Sequence, residues 1–148
     1  MNEAERIAKA CCGDPQAMEF IALWAEYCHA IDDIVDQENT CAEHIIRTCG
    51  PLPVMLCTHP FFVRTPMHAV ALRQVMLLVA NAYADSVAWE RSASDWQRNH
   101  SDVLRHAGNE MIFAVAQICG GYEHARKISL EQRTVCHLNQ HANDKEAE

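Results

Sequence analysis

Apolar positions along this chain recur mostly at spacings of three and four, the period of one helix face, and not at the spacing of two that marks a strand. The segment from Asn2 to about Cys12 reads as a short helix stopped by Gly13. Asp14 then supplies an N-cap and Pro15 a first helical residue. A long helix is expected from Pro15 to about Glu38, with Phe20, Trp24, Tyr27 and Ile31 as its main apolar stripe. Residues 40–65 are the least regular part. Gly50, Pro51, Pro53 and Pro60 break the pattern, which predicts a connector made of short helical pieces. Thr65-Pro66 opens a second long helix, and no breaker follows until about Arg91. Its residues Val70, Leu77 and Ala84, with Leu72, Val75, Val79 and Trp89, predict a strongly buried element. Ser94 to Gln97 forms a capping box that opens a third long helix, ending at Gly120-Gly121. A second box, Ser129 to Gln132, opens a short last helix. The expectation is an all-α, single-domain helical bundle over residues 1–141, built on three long helices with shorter flanking helices, and a frayed tail over 142–148.

Composition agrees with this picture and narrows the function. Of 148 residues 49% are hydrophobic and 22% charged, enough apolar surface for one buried core. The formal net charge of −8 argues against general binding to nucleic acid or anionic membranes, which need a basic face. The longest apolar runs are interrupted by His, Arg, Gln or Asn before reaching spanning length, so no membrane span is expected. The N-terminus lacks the basic start and apolar core of a secretory signal, which points to a cytoplasmic protein. Eight cysteines in that setting read as reduced thiols packed as small hydrophobes. Cys41, Cys49 and Cys57 recur every eight residues near His44 and His59, but the close-spaced ligand pairs of a zinc site are missing.

The candidate chemistry lies in HAIDDIVDQE, residues 29–38. At about 100° per residue, Asp33 continues a polar line through Glu19 and Glu26, the expected solvent side. Asp32 and Asp36 continue a different face, marked by Met18, Ala22, Ala25 and His29. That face is small and apolar for two turns before it becomes ionisable, which places Asp32, Asp36 and His29 toward a cleft. Carboxylates four apart share a face and suit a hard cation such as Mg²⁺. The alternative is a helix that simply emerges into solvent near Ile31. Groups able to complete a cation site recur on later helices. Asn81 and Asp85 are four apart on the second long helix, with Glu90 following. Asn99, Asp102, His106 and Asn109 form one stripe on the third. A local hydrogen-bond network and a solvated helix face are the respective alternatives.

Asp32-Asp33-Ile34-Val35-Asp36 resembles the D-D-x-x-D motif of class I isoprenoid (terpenoid) synthases. The resemblance covers about ten residues. It implies an all-α cavity whose wall carries Mg²⁺ ions, with Asp32 and Asp36 as main ligands and a diphosphate gripped by the metal. The second metal motif of that family is matched in part by Asn81 and Asp85, but Trp89 stands in the third place and Glu90 one residue late. The implied metal set is Asp32, Asp36 and Asp33 with Asn81, Asp85 and Asp102. His29, Arg73, Arg105, His106 and Asn109 stand as diphosphate contacts, and Arg64 is a further available grip. No residue is singled out as catalytic. Family members are about twice this length, and the basic residues that follow the motif in chain elongases are replaced by QENTCAEH.

Three functions follow as expectations. The first is Mg²⁺-dependent binding or turnover of a prenyl or related diphosphate, by a transferase or lyase. The second is a non-catalytic helical assembly or adaptor protein. The third is a hydrolase resembling the all-α nucleotide pyrophosphatases, whose paired E-x-x-E is absent before the aspartates. Self-association is compatible with each. The chain contains no G-x-S-x-G, no phosphate-cradling G-x-x-x-x-G-K and no H-E-x-x-H.

Overall fold

In the computed structural model, residues 2–38 and 40–146 are described, with side chains as far as Thr134. Apart from the helix that follows Cys41, whose side chain makes no capping bond, the helices as far as Arg105 begin where a side chain accepts from a free N–H or a proline removes one. Asn2 and Glu5 form a reciprocal capping box at the start of α1 (Glu3–Ala10). Cys12 and Gly13, both at positive φ, turn the chain, and the Asp14 side chain caps α2 (Pro15–Val35). The connector resolves into α3 (Ala42–Cys49), α4 (Pro51–Thr58) and α5 (Pro60–Val63). Pro51 and Pro60 sit at first helical positions, where a missing N–H costs nothing. Thr65 caps α6 (Pro66–Glu90), and Ser94 caps α7 (Asp95–Arg105). No strand occurs among the described residues.

The third long helix is not continuous. After α7 the chain makes a 3₁₀ turn (His106–Asn109) and restarts as α8 (Glu110–Glu146). Within that turn the Gly108 carbonyl accepts the buried Trp24 indole N–H at 3.0 Å. Gly120-Gly121 ends the first arm of α8, as expected. At Gly121 (φ +79°, ψ −179°) the chain kinks, then resumes helical geometry. Ser129 therefore lies inside α8, buried, and caps nothing. The tail expected over 142–148 falls outside the residues whose side chains are described, and 147–148 outside the described backbone as well.

One core sits between α2, α4, α5, α6 and the first turns of α8. It holds Phe20, Ile21, Trp24, Leu56, Phe61, Phe62, Leu72, Met111 and Val115. A smaller cluster of Ala10, Phe113, Ala116, Ala125 and Ile128 joins α1 to both arms of α8. The expected stripe of α2 is buried at Phe20 and Trp24 and half-buried at Tyr27 and Ile31. The expectation for α6 needs correction. Leu72, Val79 and Ser86 face the core, but Val70 and Leu77 are 53% and 61% exposed. This helix is covered on one side only. No helix among the described residues is long and apolar enough to cross a membrane.

Candidate functional site

The C-terminal turns of α2, the last turns of α6 and the end of α7 meet at one corner. Asp32 and Asp36 project from α2, Tyr83 and Glu90 from α6, and Arg105 from α7. Arg105 Nη1 stands 3.5 Å from an Asp32 oxygen and 3.4 Å from an Asp36 oxygen, while Nη2 stands 3.1 Å from Glu90. The Tyr83 hydroxyl donates to Asp32 at 2.5 Å, and the guanidinium lies 5.5 Å from the centre of the Tyr83 ring. Burial, reinforced by the bond to Asp32, pushes the Tyr83 phenol well above its ordinary range. Burial works against the Arg105 charge, but Glu90, Tyr83, Asp32 and Asp36 outweigh it and hold the guanidinium pKa above its ordinary value. Arg105 is half-buried, and three carboxylates face this one cation. The corner therefore carries an excess of negative charge and presents hard oxygen donors.

Of the residues expected here, Asp32, Asp36 and Arg105 come together. Asp33 stays beside them without joining the ion pairs, on the polar line with Glu19 and Glu26. His29 is exposed on α2. Asn81 and Asp85 are exposed on the opposite side of α6. The reason is rotation: at about 100° per residue, neither can share the face of Tyr83 and Glu90. Arg73 lies more than two turns nearer the start of α6, its guanidinium 5.9 Å from the Phe62 ring centre. Asp102 is exposed, and His106 bonds back to the Asp102 carbonyl at 2.7 Å. The break in helix at His106 removes the stripe that would have carried Asp102, His106 and Asn109 to one place. Arg64 pairs with Asp14 at another corner. Tyr83 was missed. Its spacing of three to Ser86 and seven to Glu90 was the available signal, hidden because Asn81 and Asp85 looked like the polar pair of this helix.

The donor set suits a hard cation, yet the carboxylates are arranged around a guanidinium. Among the described residues no group of three or more His, Cys, Asp or Glu side chains stands ready to hold a metal ion. The seven cysteines described are free thiols. Cys41 and Cys49 are exposed, His44 Nε2 lies 3.1 Å from the Ala30 carbonyl, and His59 accepts from the Phe61 N–H, so the zinc alternative gathers no ligand set.

No family model matches this chain, and neither the curated proteins nor the solved structures include a match to it. The likeness to isoprenoid synthases thus rests on the short aspartate motif and on an all-α fold.

A concavity of about 440 Å³ opens elsewhere, between the α1–α2 turn, the α5–α6 junction and α8. Cys11, Cys12, Asp14, Arg64, His68 and Cys119 line it. Cys12 Sγ lies 3.5 Å from His124 Nε2, which also sits 3.1 Å from the Ala10 carbonyl. Burial pushes the Cys11 thiol up to about 12 and the Cys119 thiol up to about 11, which keeps both protonated and unreactive at neutral pH.

Proposed function

We propose that the corner formed by α2, α6 and α7 binds Mg²⁺ and, through the metal and Arg105, a small diphosphate. The observation that carries this reading is the convergence of three carboxylates from two helices on a single guanidinium. Asp32, Asp36 and Glu90 would hold the metal, and Tyr83 orients Asp32 through its hydroxyl. Bound Mg²⁺ would neutralise the carboxylates and bridge phosphate oxygens. Arg105, released from the carboxylates, would then offer its planar fork of donors to the diphosphate.

The reading favours the diphosphate group over a long prenyl chain. No apolar chamber forms beneath the aspartates from Ala22, Ala25 and Leu78. Leu78 is 66% exposed on the far side of α6, Ala22 is exposed, and Ala25 belongs to a small groove shared with α1 and α8. A nucleotide diphosphate or triphosphate remains within the same chemistry, as the hydrolase alternative would require.

Calorimetric titration of Mg²⁺ and pyrophosphate tests the proposal. The wild type is expected to bind pyrophosphate only with Mg²⁺ present, and the folded double variant Asp32→Ala, Asp36→Ala to lose this binding. Arg105→Gln should keep or tighten Mg²⁺ binding, because a competing cation is gone, while weakening pyrophosphate about 10-fold or more. No heat at concentrations suited to micromolar affinity would reject the reading. The assembly alternative is favoured by a separate observation, the exposed apolar side of α6.

A further inference from the structure

The concavity beside the α1–α2 turn gathers three of the seven described thiols, Cys11, Cys12 and Cys119, from elements far apart in sequence. They differ in access. Cys11 is fully buried, Cys119 is half-buried and Cys12 is exposed. The Cys12 sulfur lies against the backbone of α8. A β-carbon at Gly120 would stand 2.9 Å from Cys12 Sγ and 2.5 Å from the His124 ring, so only glycine leaves room for both. His124 Nε2 is 3.5 Å from the sulfur and 3.1 Å from the Ala10 carbonyl. A carbonyl only accepts, so this nitrogen carries a proton, and the same N–H faces the sulfur. An N–H in that place supports the thiolate, the form that attacks an oxidant.

The cavity holds two thiols that could pair with an oxidised Cys12. Cys11 is excluded by covalent geometry. Neighbours across a trans peptide have Cα atoms about 3.8 Å apart, too close for the roughly 4.4–6.8 Å of an ordinary disulfide, and no cis peptide occurs here. Cys119 remains. It adjoins Gly120, which the Cys12 sulfur touches, and it lines the same cavity. Cys12 is also close enough to be among the causes that raise the Cys119 thiol.

We propose that Cys12 is a peroxide-sensitive thiol and Cys119 its resolving partner. The Cys12 thiolate attacks one oxygen of hydrogen peroxide. The O–O bond breaks, the other oxygen leaves with a proton as water, and the sulfur becomes a sulfenic acid. The Cys119 sulfur then attacks the Cys12 sulfur. An S–S bond forms, the S–O bond breaks, and the hydroxyl leaves with the Cys119 proton as a second water. Two thiols lose two electrons and one peroxide gains them. Burial keeps the Cys119 thiol protonated against reagents from solvent, yet holds it beside the sulfenic acid. There an intramolecular reaction gains in effective concentration what it lacks in thiolate. The cross-link ties the α1–α2 turn to the first arm of α8. None of the residues involved belongs to the carboxylate corner, so the inference does not rest on the diphosphate reading.

Peptide mapping by mass spectrometry tests this on the folded, reduced protein treated with near-equimolar hydrogen peroxide. Wild type is expected to lose two hydrogens and to yield a peptide pair linked through Cys12 and Cys119, which dithiothreitol separates again. Cys119→Ser is expected to hold Cys12 as the sulfenic acid, trapped by dimedone. Cys12→Ser is expected to leave Cys119 a free thiol at the same peroxide dose. Circular dichroism checks the fold of both variants, and the wild-type map decides the pairing without them. A Cys12 that stays reduced while Cys41 or Cys49 is oxidised overturns the proposal. So does a disulfide joining any other pair, or a wild-type Cys12 sulfenic acid that never gives way to the link.

Discussion

Asp14 joins two kinds of interaction in one side chain. Its Oδ1 accepts from the N–H groups of Gln16 and Ala17 at 3.0 and 3.2 Å, which caps α2. Arg64, fifty residues later, donates to both carboxylate oxygens at 2.5 and 3.1 Å. The Arg64 bond is the main cause that holds the Asp14 carboxyl below its ordinary value, against an opposing effect of burial. A depressed pKa in the folded state means that the ionised form is favoured by folding. Its contribution is complete above the ordinary Asp range and is lost as pH falls through the depressed value. Asp14→Ala is expected to cost about 1 kcal/mol at neutral pH, and the difference from wild type should shrink toward zero on acidification. Thermal unfolding of both proteins from about pH 6 down to pH 2, spanning the carboxylate range, measures this. The cap was legible because it needs only neighbours in sequence. The pairing with Arg64 was not, because the connector that delivers Arg64 has no periodicity to extrapolate.

Helix boundaries divide along the same line. Caps at Asn2, Asp14, Thr65 and Ser94 act within three residues, and each begins a helix as expected. The box at Ser129 has equally good local chemistry and starts nothing. The α8 backbone already satisfies the N–H groups that such a cap would serve. At Gly121 the backbone takes a conformation reserved in practice for glycine, so Gly121→Ala is expected to destabilise by about 1–3 kcal/mol. A Cβ there meets no atom within 4 Å, so the cost is backbone strain alone. Urea unfolding of this variant beside an alanine change at an ordinary exposed α8 site separates the two; equal stabilities would refute the strain argument. At the break between α7 and α8 the Trp24 indole N–H, from a helix distant in sequence, bonds the Gly108 carbonyl, a contact that no local pattern announces. For α6 the misleading signal was apolar residues all round, read as burial all round. The fold covers one side and leaves Val70, Leu77 and Leu78 exposed on the other.

The aromatic core ties these elements into one bundle. Phe20 of α2 packs on Phe61 and Phe62 of α5, ring centroids 5.6 and 6.0 Å apart, and all three are fully buried. The short connector is thereby a structural part of the core. Phe20→Ala is expected to cost about 3–5 kcal/mol, a large share of the roughly 5–15 kcal/mol available to a domain. Chemical denaturation checks it: a loss below 1 kcal/mol would mean that α5 is not anchored through this contact. The all-α class and the caps at Asp14, Thr65 and Ser94 were written in local order, since period and capping chemistry act over a few residues. Which carboxylates gather was a different matter. Asp32 and Asp36 met Arg105, Tyr83 and Glu90 because α2, α6 and α7 converge at one corner, while Asn81, Asp85 and Asp102 turned away by rotation about their own axes. A helix's period specifies which residues share a face; packing between helices distant in sequence chooses the direction in which that face points.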